Sequence, residues 1–158
     1  MCGIAGIFNF ATGRPVTRAE LQPMTDVLRH RGPDAEGFHT DGELGLGHRR
    51  LKIIDLSDAA AQPMTNETGT LWLTFNGEIY NYRQLRDELL GHGHRFKSQS
   101  DSEVIVHAYE QWGDGCLNRF NGEWALALWD APRRRLFCAR DRFGIKPFHY
   151  WSDGKRFL

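Results

Sequence analysis

Cysteine is scarce in this sequence. There are three, odd in number and widely spaced, which excludes a disulfide framework and makes a reducing cytoplasm the expected compartment. A surplus of either charge is also missing. Twenty basic residues cancel twenty acidic ones, so no electrostatic footprint points to nucleic acid or an anionic membrane. No apolar run approaches the roughly 18 residues of a membrane span, and the N-terminus lacks the charged and apolar regions of a signal peptide. Repeats and low-complexity linkers are absent too, so residues 1–158 read as one domain with a respectable core. The one basic cluster, Arg133, Arg134 and Arg135, follows "DAP" and suits a solvated turn better than a phosphate site. His92 and His94 in "GHGH" lack the further ligands of a zinc pattern, so no metal is assigned.

The patterning that is present mixes both periods. "CGIAGIFNF" reads as a first strand whose small residues invite close approach by other backbone. "TRAELQPMTDVLRH" predicts a helix with Leu21, Met24, Val27 and Leu28 on one face, Pro23 weakening its first turn. "HRGPDAEG" is a loop. "GELGLGHRRLKIIDL" is a strand entering a turn, and "TLWLTFN" a strand of period two. "NYRQLRDELLGHG" predicts a helix with Asn81 at its N-cap and Gly91 or Gly93 at its end. In "SDSEVIVHAYEQWG", Ser100 and Glu103 have the capping-box spacing. "EWALALWD" and "RRLFCARD" form a hairpin, followed by "PFHYW", a turn and "RFL". Strands and helices are segregated, so the class is α+β with mainly antiparallel sheet.

Several stretches then carry chemistry. Cys138 sits in a strand-like run and Cys116 packs after a helix; both suit inert, buried thiols. Cys2 is different. A free thiol is only a few per cent thiolate at neutral pH and needs a base. Removal of Met1 supplies one, an α-amine of pKa about 8 on the same residue. From "MCG" alone, a buried first-strand residue is the plainer reading. "TFNGEIYN" places Asn76 and Gly77 where a strand gives way to a helix. They make either a common turn or a pair of donors for one oxyanion. Adjacent Arg49 and Arg50 point to opposite faces of a strand. Arg50 is the candidate to fork onto a carboxylate, leaving Arg49 toward solvent. Asp101 opens a helix, as a first-turn acid or as a partner for an ammonium. An Asp and an Arg together can hold both ends of a free amino acid.

The stretches "MCGIAGIF", "HRGPD", "GHRRLKIIDLS", "QPM", "FNGEIYNYRQLRDEL", "SDSEVI", "FNGEWALALWD" and "ARDRFGIKPFHY" resemble, in this order, the glutaminase domain of glutamine-hydrolysing asparagine synthetases. That domain is a class II glutamine amidotransferase of the N-terminal-nucleophile hydrolase superfamily. The resemblance implies a four-layer αββα sandwich of two antiparallel sheets between helices, and glutamine as substrate. It implies Cys2 as nucleophile after loss of Met1, with Asn76 and Gly77 as the oxyanion hole. Arg50 would grip the α-carboxylate, with Leu51 and Ile53 lining that pocket, and Glu78 and Asp101 would hold the α-amino group. The "HRGPD" loop, Arg31 to Asp34, would flank the nucleophile.

The family continues into a synthetase domain with a Ser-Gly-Gly-x-Asp phosphate loop, and no such stretch occurs here. ATP and Mg²⁺ would belong to that domain, leaving this one with no cofactor of its own. The synthetase would come from a longer chain or a separate partner, approached by "RDRFGIKPF". "RFL" starts a strand and stops, so the expectation is a sandwich incomplete at its C-terminal edge. The alternatives are an amidotransferase with another carboxylate acceptor, a hydrolase of a different amide such as a penicillin-like acyl group, or an inactive fragment.

Overall fold

The computed structural model describes residues 1–158. β1 (Gly3–Phe8), β2 (Ala35–Asp41) and β3 (Leu44–Arg50) form one antiparallel sheet with β3 in the centre. The second antiparallel sheet runs β4 (Met64–Thr65), β5 (Leu71–Ile79), β6 (Gly122–Asp130), β7 (Arg135–Arg140). Helix α1 (Arg18–Asp26) covers the outer face of the first sheet. Helices α2 (Tyr82–Gly91) and α3 (Asp101–Trp112) cover that of the second. The layers are therefore αββα, as expected.

Strand alternation decides which layer each residue feeds. On β5, Leu71, Leu73, Phe75 and Ile79 join Leu85, Leu89, Val104 and Ile105 in the main core beneath α2 and α3. Trp72, Thr74 and Asn76 lie on the opposite face, toward the first sheet. Between the sheets, Leu44, Leu46, Ala127 and Trp129 form a smaller core. Hydrogen bonds cross it. Trp129 Nε1 donates to Asp41 Oδ2 at 2.7 Å, and Thr74 Oγ1 to Gly47 O at 3.3 Å. Every residue of β3 is buried, because α1 lies on one face and the second sheet on the other. Gly45 and Gly47 permit that approach: a Cβ would come within 2.5 Å of Val16 and 2.6 Å of Thr25, respectively.

Some local expectations change. A capping box between Thr17 and Glu20 starts α1, which runs through Pro23 but ends before Val27. Val27 is exposed, not inward. Asn81 does stand at the N-cap of α2, but its side chain donates to Arg119 O and accepts from Asn121 N–H, tying the helix to the chain before β6. Ser100 Oγ accepts Ser102 N–H as a cap should. Glu103 does not complete the box; Lys97 and Ser98 offer it two backbone N–H donors at 2.7 Å. "PFHYW" forms no named strand. Phe157 of "RFL" exchanges two backbone hydrogen bonds with Phe8, at 2.8 and 2.9 Å.

Candidate active site

The pairing of β1 with β3 sets Gly3 opposite Arg49, which brings Cys2 to the end of β3. There Leu51 N–H donates to Cys2 Sγ at 3.4 Å. Arg31 Nε donates to Cys2 O at 3.1 Å, so the "HRGPD" loop does flank this residue. Gly32 makes the loop possible: a Cβ would lie 2.3 Å from the Arg49 carbonyl oxygen. Burial pushes the Cys2 thiol up, opposed by the Leu51 N–H, the chain's positive terminus and Arg50. Burial pushes Cys116 and Cys138 to about 12.

Strand parity assigns the donor that faces Cys2's cavity. Tyr80 N–H bonds Asn121 O and Ala131 N–H bonds Thr70 O, so the even-numbered residues of β5 pair with β6. The odd-numbered ones turn their N–H groups to the other side. Phe75 N–H meets Gln62 Oε1 at 2.7 Å, and Ile79 N–H meets Asp101 Oδ2 at 2.9 Å. Gly77 N–H lies between them on the same edge, facing the cavity. Gly77 is needed for packing as well, since a Cβ would meet Glu123 O at 2.4 Å. The adjacent Asn76 is buried on the face toward Cys2. Beneath them, burial holds His48 down to about 4, so the neutral ring donates Nε2–H to Phe75 O across 3.1 Å.

Arg50 and Arg49 do part to opposite faces. Arg50 Nη1 donates to Ser57 O at 2.8 Å and Nη2 to Asp55 O at 2.5 Å, fixing the loop that carries Leu51 and Ile53. Asp55 Oδ2 in turn accepts Gln99 N–H at 2.8 Å, anchoring that loop near the start of α3. Arg49 corrects the expectation of a solvent-facing partner. It is 9% exposed, and Nη2 pairs with Asp26 at 2.5 Å and Glu36 at 2.8 Å. The far face is covered by α1, and a buried guanidinium must be paired.

Asp101 begins α3 with its carboxylate in the cavity. Burial pushes it up to about 6, the Ile79 N–H opposes this, and the nearby charge of Glu78 adds to the rise. Cys2, Arg50, Leu51, Ile53, Asn76, Gly77, Glu78 and Asp101 all border one cavity of about 260 Å³. The structure thus brings together every catalytic and substrate-binding candidate from the sequence. It also adds Lys146 and Glu123, whose ion pair spans 2.6 Å in the same wall. Asp141 aims Lys146 inward, since its carboxylate collects the N–H groups of Trp124, Phe143, Ile145 and Lys146. A second, largely apolar cavity of about 510 Å³ lies between the sheets and shares Cys2 and Asn76 with the first.

A thiol at a strand end, an Asn–Gly pair on the neighbouring strand edge, and an arginine and an aspartate on one cavity thus sit within an αββα sandwich. The chain belongs to the glutamine amidotransferase domain family, whose model matches residues 1–158. It is 46% identical over 152 residues to asparagine synthetase [glutamine-hydrolyzing] 2 of Bacillus subtilis (strain 168), covering 95% of this chain and 20% of that protein. Asparagine synthetase [glutamine-hydrolyzing] 3 of the same organism is 41% identical over 160 residues, with 100% of this chain and 26% of that protein covered. The chain therefore spans a fifth to about a quarter of the length of these relatives. In fold it is similar to B. subtilis glutamine phosphoribosylpyrophosphate amidotransferase, solved with ADP and GMP. The TM-score is 0.81 at 20% identity, covering 99% of this chain and 41% of that one.

Proposed function

We propose that this chain hydrolyses glutamine to glutamate and ammonia at Cys2. The observation that carries the reading is the convergence of both ends of an amino-acid clamp, a thiol and a free strand-edge N–H on one cavity. Arg50 takes the α-carboxylate, beside Leu51 and Ile53, while Glu78 and Asp101 take the α-ammonium. Anchoring both ends sets the side-chain amide carbon before the Cys2 sulfur. Met1 is about half exposed and borders the cavity, a position compatible with its excision. Its loss exposes the Cys2 amine.

That amine takes the thiol proton as the C–S bond forms. The oxyanion is held by Gly77 N–H and the Asn76 side chain; one such donor is worth about a hundred- to a thousandfold in rate. When the C–N bond breaks, the amine returns the proton and ammonia leaves a γ-glutamyl thioester. Water adds to the thioester and the C–S bond breaks, giving glutamate and the free thiol.

On this reading the ammonia amidates aspartate in a synthetase domain, carried by a longer chain or a separate partner that also holds ATP and Mg²⁺. The relatives' names support that choice. So do the exposed apolar side chains of Phe143, Ile145, Tyr150 and Trp151, close together in the sequence, with Phe143 88% exposed; exposed apolar area of this kind marks interaction sites.

The test is intact mass after treatment with an electrophilic glutamine analogue. The expected result is one adduct, on Cys2 of protein lacking Met1, with Cys116 and Cys138 unmodified. Adduct formation that persists in Cys2→Ala overturns the assignment.

A further inference from the structure

His94 has no further ligands near it in the sequence, and the fold supplies them from α3. His107 and Glu110 are three apart on that helix and so share a face. His107 Nδ1 lies 2.9 Å from Glu110 Oε2, and His94 Nδ1 approaches the same oxygen at 3.6 Å. Donor atoms of the three residues all lie within 4.8 Å of one another. Tetrahedral ligands with bonds of 2.0–2.1 Å stand about 3.3 Å apart, so the first two separations bracket the required one. We propose that His94, His107 and Glu110 form a binding site for a divalent transition-metal ion of the zinc type.

The surroundings are those of a ligand set. A metal-bound histidine normally presents its other ring nitrogen to an acceptor, and bound carboxylates are themselves hydrogen-bonded. His94 Nε2 lies 3.1 Å from Gln111 Oε1. His107 Nε2 faces Glu103 Oε1 at 3.8 Å and Glu67 Oε1 at 4.0 Å. The second oxygen of Glu110 accepts Asn66 Nδ2–H at 2.8 Å. In the metal-free chain His107 Nδ1–H donates to Glu110 Oε2 at 2.9 Å, and a bound ion would take that proton's place between the two. The edge of Phe96 packs on His107, closing one side, while His94 and Glu110 stay partly open to an entering ion.

The competing arrangement is a proton in place of the metal. Burial disfavours a charged His107, but Glu103 and Glu110 outweigh it and push the ring up to about 9. Three carboxylates around one imidazole demand a cation, and either cation satisfies them. The site stands apart from the cavity: His107 is six residues along α3 from Asp101, about 9 Å at 1.5 Å per residue. Its failure therefore leaves the glutaminase reading untouched.

The experiment titrates ZnCl₂ and CoCl₂ into the metal-stripped chain carrying Cys2→Ala and Cys138→Ala, which removes both partly exposed thiols. Calorimetry is expected to show one equivalent bound, and Co²⁺ to give the visible absorption of a low-coordinate nitrogen–oxygen site. His94→Ala leaves the Glu103–His107–Glu110 contacts intact and should keep the metal-free melting temperature. It should weaken binding at least tenfold. Gln111→Ala touches no ligand other than His94 Nε2 and should weaken it severalfold. Absence of binding, or binding that both variants retain unchanged, overturns the site in favour of the proton-bridged arrangement.

Discussion

Ile79 gives its backbone N–H to Asp101 Oδ2 at 2.9 Å, so the β5 strand itself holds the carboxylate at the start of α3. That carboxylate is buried and pushed up to about 6. An acid whose folded pKa lies above its unfolded value of about 3.9 binds its proton more tightly in the fold, so its ionisation costs stability as pH rises from about 4 to 6. Asp101→Asn should therefore raise the melting temperature at pH 8 and lose that advantage below pH 4. Function runs the other way. On the proposed reading glutamine's ammonium needs the ionised carboxylate, so KM for glutamine should rise as pH falls through about 6, and Asp101→Asn should flatten that limb. A variant that melts lower at pH 8 than at pH 4, relative to the parent, contradicts the argument.

Gly77 meets two demands at once. Its N–H faces the cavity, and a Cβ would stand 2.4 Å from Glu123 O and 2.6 Å from Trp124 Cα. Backbone on both strands cannot yield as a flexible side chain would. Overpacking of this kind costs about 1–3 kcal/mol, which in a chain of this size is a fall of roughly 2–12 °C in melting temperature. Gly77→Ala should show that fall and, on the proposed reading, lose glutaminase kcat by more than tenfold, because β5 must shift the proposed oxyanion donor. Full activity with a lowered melting temperature would confine Gly77 to packing.

Much of this site was legible because its residues stand at element ends that local patterns mark. The alternation of β5 and the start of α3 put Asn76, Gly77 and Asp101 on one cavity with Cys2. Alternation also separated Arg49 from Arg50. It did not say what covers the far face, since Asp26 and Glu36, the partners of Arg49, come from α1 and β2. Lys146 and Glu123 are 23 residues apart in the chain. The β6–β7 hairpin and the turn after it bring them together, and no local pattern joins them. His94 has the same difficulty: its companions arrive through the packing of α3 against the segment after α2.

Arg50 uses two of its donors on Ser57 O and Asp55 O, and on the proposed reading its remaining N–H groups take the substrate carboxylate. Arg50→Lys preserves charge but cannot span both carbonyls and a carboxylate. A charge-assisted hydrogen bond contributes about 1.5–3 kcal/mol, so KM for glutamine should rise roughly 10- to 150-fold with a smaller change in kcat. An electrophilic amide lacking the α-carboxylate should label Cys2 equally in parent and variant. Equal loss with both compounds would mean that the substitution has collapsed the 51–60 loop instead.

Asp141 organises the wall that carries Lys146. Its two oxygens accept four backbone N–H groups, from Trp124, Phe143, Ile145 and Lys146, at 3.0–3.2 Å. Burial pushes the carboxyl up, but those donors outweigh it and hold it below its ordinary range. Such a group stabilises the fold above its unfolded pKa, about 3.9, and that contribution is lost as pH falls toward its lower folded value. Asp141→Ala leaves four donors without an acceptor. At about 1–3 kcal/mol for each one that stays buried, it should cost at least 2 kcal/mol at pH 7, read by urea denaturation. Asp141→Asn should recover part of this, because its single carbonyl can still serve two donors. The difference between parent and Asp141→Ala should shrink as the pH is lowered below 4, where the parent's own carboxyl takes up its proton. A gap that stays constant from pH 7 to pH 3 would assign the loss to packing rather than to the ionised cap.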